Sequence, residues 1–419
     1  MSFLNTRYLG EVKKLYKINN INIKILVTAV FFLPIALVAG PAVMEFFLII
    51  ISVNFIILCF KNEYKIKLDI YFFFILAWYL LIIISSIVSE HPLLSLKSSF
   101  LSFRFILLIY AIIYLGEKVE NFYKIFLFIL FFTLSICVID GYIQTLFGKN
   151  LLLISKPNPY TTSGFFGDEK KLGSYIVRLI PICFGLYLYL SKENQLKKNT
   201  HILICSFLTF PLILFSNERM AMLFFSFIVI CIIFTYLKND KKKFFLISFI
   251  FVLIPIIIYT FSINRFDSKV INSLTQIYEN SKIKVYSSTH EILIINSIKL
   301  FKEKPILGIG ANNYKRECKK VNSEVNCSTH PHNIFIQLLT ETGILGMVFY
   351  GIFLFFILKK IVFFFIFKEE LYKILMVLPL FFYVNPFFPS GNFFNNWYMC
   401  LGIFAFPFLY KIQKTNNDL

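Results

Sequence analysis

Charged residues are scarce in this sequence. They make up 16% of its 419 residues, whereas soluble domains carry roughly a quarter, so an ordinary soluble domain is excluded. Hydrophobic residues account for 58% of the chain, and the mean hydropathy is +0.73. Apolar runs of about 17–25 residues, long enough to cross a bilayer, recur along almost the whole length. The composition therefore predicts an all-α integral membrane protein.

Long linkers, low-complexity tracts and internal repeats are also missing, which favours one membrane domain over a string of modules. We expect about nine transmembrane helices in residues 1–262 and about three in residues 332–419, separated by one large outer loop, 263–331, that contains short helices. The first run is too long and too poorly flanked by small residues to be a cleaved signal peptide. The twelve predicted spans are 23–40, 43–60, 68–88, 98–116, 123–147, 172–190, 201–216, 219–237, 244–262, 333–358, 371–389 and 393–410.

Acidic residues are outnumbered, with 23 Asp and Glu against 42 Lys and Arg. A basic surplus can indicate a nucleic-acid partner, but here its distribution follows the predicted topology. With the N-terminus in the cytoplasm, the inner loops hold 23 Lys and Arg and the short outer loops hold 6, as the positive-inside rule requires. We therefore expect both termini in the cytoplasm, contacts with membrane lipids and no nucleic-acid partner.

Cysteine is sparse outside the membrane. Of eight cysteines, six lie in predicted spans and are expected to pack as small apolar residues. Cys318 and Cys327 lie in the outer loop, where an oxidising compartment favours a disulfide between them; two free thiols are the alternative. In the same loop, residues 286–303 have apolar positions near helical spacing, which predicts an amphipathic helix at the membrane surface.

Signatures of nucleotide and metal sites are missing. The sequence has no Walker loop, DxD, HExxH or zinc-finger spacing, and the tripeptide HPH alone is a poor metal signature. We therefore expect neither a metal ion nor an organic cofactor.

The predicted spans contain few ionisable side chains, which are costly in a bilayer and usually mark function. At a rise of 1.5 Å per residue, five of them lie within roughly 14 Å of the outer surface, and the inner halves contain almost nothing comparable. Arg104 also has a structural interpretation as a snorkelling or ion-paired arginine, and Arg178 as a partner of Asp140. Arg219, in a tight outer turn, has less structural reason to be there. The set comprises Arg104, Asp140, Arg178, Arg219 and Glu341.

The stretch HPHNIFIQLLTETGILG, residues 330–346, predicts a site at the outer end of a span. Pro331 suits the first position of a helix, which would place His332 in the first turn. The positive end of the helix dipole disfavours an imidazolium there, so His332 is a candidate general base. A helix cap without catalytic function is the alternative.

A polar stripe follows on one helical face, formed by Asn333, Gln337, Thr340 and Glu341. Such a stripe should face the bundle or a water-filled cleft rather than lipid, and structural hydrogen bonds are its alternative role.

A neutral base beside arginines suggests transfer to a hydroxyl from an anionic leaving group. Guanidinium groups bind phosphate oxygens well, and a diphosphate would need such contacts as its charge develops.

Four segments resemble the O-antigen ligase and O-antigen polymerase superfamily of bacterial envelope proteins. The resemblance implies transfer of a glycan from undecaprenyl diphosphate, at the periplasmic face of the inner membrane, without ATP or metal. The acceptor would be the lipid A–core oligosaccharide for a ligase and another lipid-linked glycan for a polymerase. The segments are HPHNIFIQLLTETGILG (330–346), KPILGIGANNY (304–314), SNERMAML (216–223) and, more weakly, SGFFGDEKKLGSYIVRLIP (163–181).

The resemblance also implies roles for single residues. His332 matches the family's base, and Arg219 matches the arginine that follows a short outer turn. The family usually has a second arginine in the loop helix, where this sequence has His290; Arg265 or Arg316 could replace it instead. With Arg178 and Arg104, Arg219 and His290 form the predicted diphosphate-binding set.

The choice of ligase over polymerase depends on loop length. Polymerases tend to have two sizeable outer loops. Here the outer loop at residues 148–171 is short, and only residues 263–331 form a large loop.

Two other classes of protein remain as alternatives. A transporter would place its substrate near the membrane midplane, with broken helices and a repeat. In a receptor or structural protein, His332 would be dispensable.

Overall fold

The computed structural model describes residues 20–236, 278–279, 282–283, 288–321, 327–367 and 370–417. These residues are helical almost throughout. Besides the connecting loops, they include a pair of two-residue antiparallel strands, β1 (Tyr278–Glu279) and β2 (Lys282–Ile283).

The helices are numbered in chain order. They are α1 (Ile21–Ala39), α2 (Pro41–Phe60), α3 (Ile70–Ile87), α4 (Pro92–Ser99), α5 (Phe103–Lys118), α6 (Phe122–Phe147), α7 (Leu172–Leu190), α8 (Gln195–Phe215), α9 (Arg219–Tyr236), α10 (Ser288–Glu303), α11 (Tyr314–Val321), α12 (Ile334–Phe367), α13 (Leu371–Val384), α14 (Asn396–Ile403) and α15 (Phe406–Asn417). Short 3₁₀ turns occur at Phe100–Ser102, which joins α4 to α5, and at Gly164–Phe166.

Eight segments within the described ranges are long and apolar enough to cross a membrane: α1, α2, α3, the continuous α4–α5 segment, α6, α7, α8 and α12. Helices α9 and α13 are apolar but shorter. The chain is therefore a multi-pass helical membrane protein. The predicted span 244–262 lies outside the described residues, so the total of twelve remains a prediction.

Several predicted boundaries were wrong. The run 371–389 ends as a helix at Val384, and the run 393–410 is divided between α14 and α15. The span predicted to begin at 98 begins at Pro92, because this proline occupies the first helical position after His91. The predicted loop helix 286–303 corresponds to α10, with its end at Glu303.

Helix α7 is the most buried of the eight candidate spans. Because lipid tails are as apolar as the side chains, helices in a membrane associate through packing and interhelical hydrogen bonds. Tyr175 of α7 donates its hydroxyl to the Pro34 carbonyl of α1 (2.8 Å), and Trp397 of α14 donates its indole N–H to the Leu37 carbonyl (2.8 Å). These two bonds hold α1 against the centre of the bundle.

Helix α12 is broken at Gly343, which has φ 65° and ψ −164°. A second stretch of chain, the inserted segment (residues 305–310), bonds to the backbone on both sides of the break. These bonds run from Ile344 N to the Pro305 carbonyl (2.8 Å), from Ile309 N to the Thr340 carbonyl (3.0 Å) and from Gly310 N to the Glu341 carbonyl (3.0 Å). Non-helical backbone at membrane depth must be satisfied inside the protein, and the inserted segment meets that requirement.

The loops at one end of the bundle contact one another and form a surface that we call the loop face. Ser390 N donates to the His332 carbonyl (2.8 Å), and the rings of Phe166 and Trp397 meet edge to face at 6.3 Å. Glu90 pairs with Lys304 at 3.1 Å, and also with Lys320. The loop face comprises residues 88–91, 148–171, 216–219, 304–321, 327–333 and 385–395.

Candidate active site on the loop face

His332 lies outside the helix, contrary to the prediction that Pro331 begins it. Helix α12 starts at Ile334, and Asn333 is the capping residue, whose Oδ1 accepts from Ile336 N (3.0 Å). Asparagine is among the strongest N-cap residues, which explains why the helix begins after it. His332 precedes the cap in the left-handed region, with φ 57°, a conformation that is uncommon outside glycine and is often found at functional sites.

Three imidazole rings form a cluster, which we call the histidine cluster. The His332 ring centroid lies 4.2 Å from that of His330 and 5.3 Å from that of His290 in α10. His332 Nε2 lies 3.0 Å from Ser328 Oγ, and His330 Nε2 lies 3.1 Å from the Ser390 carbonyl. A carbonyl can only accept, so His330 Nε2 carries the proton. The fold thus brings a loop helix, the start of α12 and the 385–395 loop together around His332.

The pKa values of all three histidines are lowered from their usual 6.5. Burial is the main cause for His330, whose pKa is lowered to about 4, with the neighbouring His332 as the second cause. Burial and then the nearby His290 lower the pKa of His332, while a hydrogen bond with the Ser390 backbone opposes the shift. Burial also lowers the pKa of His290. His332 is therefore a neutral imidazole near pH 7, for reasons of burial and crowding rather than the first-turn position predicted.

The polar stripe of α12 is buried and fully engaged with the loop face. Gln337 Nε2 donates to Glu341 Oε2 (2.9 Å) and to Asn392 Oδ1 (2.7 Å), and Gln337 Oε1 accepts from Phe393 N (2.9 Å). Glu341 Oε1 accepts from Tyr314 N (3.0 Å) at the start of α11. Gln337 and Glu341 therefore orient the segments that surround the histidine cluster.

The 385–395 loop was missed by the sequence reasoning, which assigned most of it to two spans. Its Pro386 carbonyl accepts from Asn333 Nδ2 (2.9 Å), and Ser390 contacts both His330 and His332. A signal was present in the sequence, since NPFFPSGNFFNN contains four asparagines, two prolines and a glycine, all of which favour turns.

Arg178 is buried, with 4% of its surface exposed, and its guanidinium lies 4.7 Å from the ring centroid of Tyr398. That ring packs 3.5 Å from where a Cβ atom of Gly391 would lie. Gly391 follows Ser390, which contacts the histidine cluster, so one aromatic ring and a short piece of backbone connect Arg178 to that cluster.

The proposed pairing of Arg178 with Asp140 is wrong. The Asp140 carboxylate instead accepts from Leu151 N (2.9 Å) and from Asn150 Nδ2 (3.2 Å). Asp140 therefore holds the 148–171 loop in place, which is a structural role.

The other two arginines differ in their surroundings. Arg104 is 8% exposed and forms an ion pair with Glu45 at 2.9 Å, which favours its structural interpretation. Arg219 is exposed on the loop face as the first residue of α9.

The outer-loop cysteines lie together in a small buried cluster with residues of α10 and α11. Cys318 and Cys327 are joined by a disulfide with a Cα–Cα distance of 6.1 Å, and both are buried. Asn296 of α10 donates to Cys318 Sγ (3.7 Å). This disulfide holds α11 close to residues 327–329, which lead into His330.

Within the described residues, no group of three or more His, Cys, Asp or Glu side chains is arranged to hold a metal ion, and the histidine cluster is no exception.

A family model matches part of the chain. No curated protein matches the chain. Residues 204–351, about a third of the chain, match the family model described as O-antigen ligase. This range includes Arg219, the inserted segment and all three members of the histidine cluster. The match confirms the resemblance drawn from the sequence motifs: residues 204–351 are similar to the O-antigen ligase family.

Proposed function

We propose that this protein transfers a glycan from undecaprenyl diphosphate to a hydroxyl of the lipid A–core oligosaccharide, on the periplasmic side of the inner membrane. The family match implies glycan transfer of the ligase or polymerase type. The donor, the acceptor and independence from ATP and metal belong to our proposal. We assign the loop face to the periplasm because the predicted positive-inside topology places its loops there.

The observation that carries the proposal is the neutral His332 at the centre of the loop face. Its Nε2 lies 3.0 Å from Ser328 Oγ, so this nitrogen points to a site where a hydroxyl oxygen can be bound. In the proposed reaction, the acceptor hydroxyl replaces Ser328 as partner and gives its proton to Nε2. The acceptor oxygen then forms a bond to the anomeric carbon of the donor. The bond from that carbon to the diphosphate oxygen breaks, and the diphosphate leaves with the electron pair.

Cationic groups on the loop face would stabilise the leaving diphosphate. Arg219 is the exposed candidate, and Arg178 is the buried one. We retain His290 as the substitute for the family's second arginine because its ring lies 5.3 Å from His332. Its lowered pKa means that the ring is neutral in the free protein, so this role requires protonation as the negative charge of the donor arrives. Arg104, already paired with Glu45, is the weakest candidate.

The break in α12 does not support the transporter alternative. In transporters, the freed backbone groups of a broken helix bind the solute or ion. Here those groups around Gly343 bond to the inserted segment, so the break serves to hold the loop in place.

The test replaces the proposed base and the exposed arginine separately. His332→Ala and Arg219→Ala are produced at membrane levels equal to wild type, and lipopolysaccharide from the cells is resolved on a gel. We expect loss of the long-chain ladder in both variants, whereas the control His201→Ala keeps it, since His201 contacts Tyr187 at the cytoplasmic end by the predicted topology. Normal ladders in both test variants would refute the proposal.

The same gel separates ligase from polymerase. When a ligase is lost, long lipid-linked polymer accumulates without attachment to lipid A–core. When a polymerase is lost, a single repeat unit is still attached. The first pattern supports the proposal, and the second identifies the chain as a polymerase.

A further inference from the structure

Glu218, the residue before Arg219, occupies the N-terminus of α7. Its Oε1 accepts from Gly173 N (2.6 Å) and its Oε2 from Ser174 N (3.0 Å). The Ser174 side chain also donates to the Glu218 carboxylate. Glu218 itself comes from the turn between α8 and α9, so the carboxylate reaches this helix end from a different part of the chain.

Arg178 completes the surroundings of this carboxylate. It attracts Glu218 electrostatically, and its Nη1 donates to the Ser174 carbonyl (2.9 Å), which directs the guanidinium toward the first turn of α7. Arg178 is 4% exposed, yet its Nε has no hydrogen-bond partner within the described residues. A buried guanidinium with an unused donor is costly, and here the donor lies beside an anion-binding helix end.

Gly173 keeps this helix end open for close approach. A Cβ atom at position 173 would lie 2.6 Å from Ser216 Oγ and 3.0 Å from Glu218 Oε1. The helix therefore presents two backbone N–H groups, a hydroxyl and a guanidinium around one anionic group. Helix N-termini with such donors bind phosphate, and arginine adds charge-assisted bonds to phosphate oxygens.

Burial of the Glu218 carboxylate at this helix end disfavours its charged form. Burial raises the pKa of Glu218 to about 7, although the bonds from Ser174 and Gly173 and the charge of Arg178 oppose the shift. An anion that brings more negative charge to the same donors would make stronger bonds to them.

We infer that the Glu218 carboxylate is an internal substitute for a phosphate group, and that the diphosphate of the donor displaces it from the N–H groups of Gly173 and Ser174. This inference rests on the proposed diphosphate donor and adds a binding position to it. Arg219 follows Glu218 directly in the chain, so we expect a diphosphate bound there to contact Arg219 as well as Arg178. Glu218 then keeps the site ordered and closed until the donor arrives.

The first experiment measures the binding of inorganic diphosphate to the full-length protein in detergent by calorimetry. If Glu218 competes with the ligand, Glu218→Gln removes the competing charge, and we expect a Kd roughly tenfold lower than that of wild type. The control is Glu169→Gln, which removes a carboxylate from the exposed loop before α7; we expect its Kd to stay within about twofold of wild type. Equal or weaker binding by folded Glu218→Gln overturns the inference.

A second measurement needs no variant that could fold poorly. Displacement changes the environment of the Glu218 carboxylate in the wild-type protein, so adding diphosphate should produce a carboxyl band in the infrared difference spectrum. Binding without such a band overturns the inference and leaves the glycan-transfer proposal intact. If wild type and all variants fail to bind diphosphate while ladders still depend on His332, this inference and the diphosphate-binding role of the arginines both fail, but the role of the base does not.

Discussion

Gly308 lies directly against the peptide unit that joins Glu341 to the next residue of α12. A Cβ atom at position 308 would be 2.5 Å from the Glu341 carbonyl carbon, closer than any side chain can approach. Gly308 also has φ 71°. The motifs 304–314 and 330–346, separate in the sequence, are therefore one structural unit in which each supplies the space and the hydrogen bonds that the other requires.

Replacing Gly308 with alanine should disrupt this unit. The backbone at 308 is left-handed, and such strain costs about 1–3 kcal/mol; the contact with the Glu341 backbone adds to that cost. We expect Gly308→Ala to lower the apparent melting temperature in detergent and the amount of protein in the membrane. The control is Gly351→Ala in α12, where a Cβ atom meets nothing within 4 Å. Equal melting temperatures for the two variants would contradict this account.

The carboxylate of Glu341 should determine whether the start of α11 stays docked. Both of its oxygens accept bonds, from Tyr314 N and from Gln337 Nε2. Glu341→Gln would present an amide N–H₂ to one of these donors, and an unsatisfied buried group costs about 1–3 kcal/mol. We expect faster limited proteolysis within residues 288–321. Glu291→Gln, an exposed change in α10, is the control, and equal cleavage rates would count against the docking role.

The pH dependence of glycan transfer should follow His332. Because its pKa is below the usual 6.5, the ring remains a neutral base at pH 7, and the rate should fall only as acidification protonates it below pH 6.5. His290 contributes to this lowering, so His290→Gln should raise the pKa of His332 and move the midpoint of the rate profile to higher pH. We expect this shift of the midpoint whether or not His290→Gln changes the maximal rate.

The control for that profile is His201→Gln, a histidine paired with Tyr187 far along the chain from the cluster. Its midpoint should equal that of wild type. A His290→Gln midpoint that stays in place or moves to lower pH would show that the two rings are not electrostatically coupled.

The disulfide can be tested by alkylation with and without reductant. Cys318 and Cys327 should react with a maleimide only after reduction of the denatured protein. Closing a loop of this size stabilises a fold by roughly 2–3 kcal/mol, so Cys318→Ser should loosen α11 and increase proteolysis within residues 288–321. Two thiols that react before reduction would rule the linkage out.

The site could be predicted only in part. His332 was proposed as a candidate base because a histidine next to a polar helical stripe is unusual at the end of a span. Its place in the first helical turn was wrong, since Asn333 outcompetes Pro331 as the start of the helix. The roles of Gln337 and Glu341 in holding the loop face depend on partners in the 385–395 loop and at Tyr314, and periodicity within one helix does not reveal such partners.

What the sequence determined by itself is the class of protein. Membrane insertion depends on apolar content summed over about 20 neighbouring residues, and that sum can be read directly along the chain. Only the tertiary structure decided which polar groups contact one another. The break at Gly343 is filled by residues 305–310, Glu218 caps a helix that begins at Leu172, and the His332 ring contacts His290 of α10. The first two pairings satisfy donors or acceptors that have no partner nearby in the sequence, because backbone groups away from water must bond to whatever the fold brings within reach.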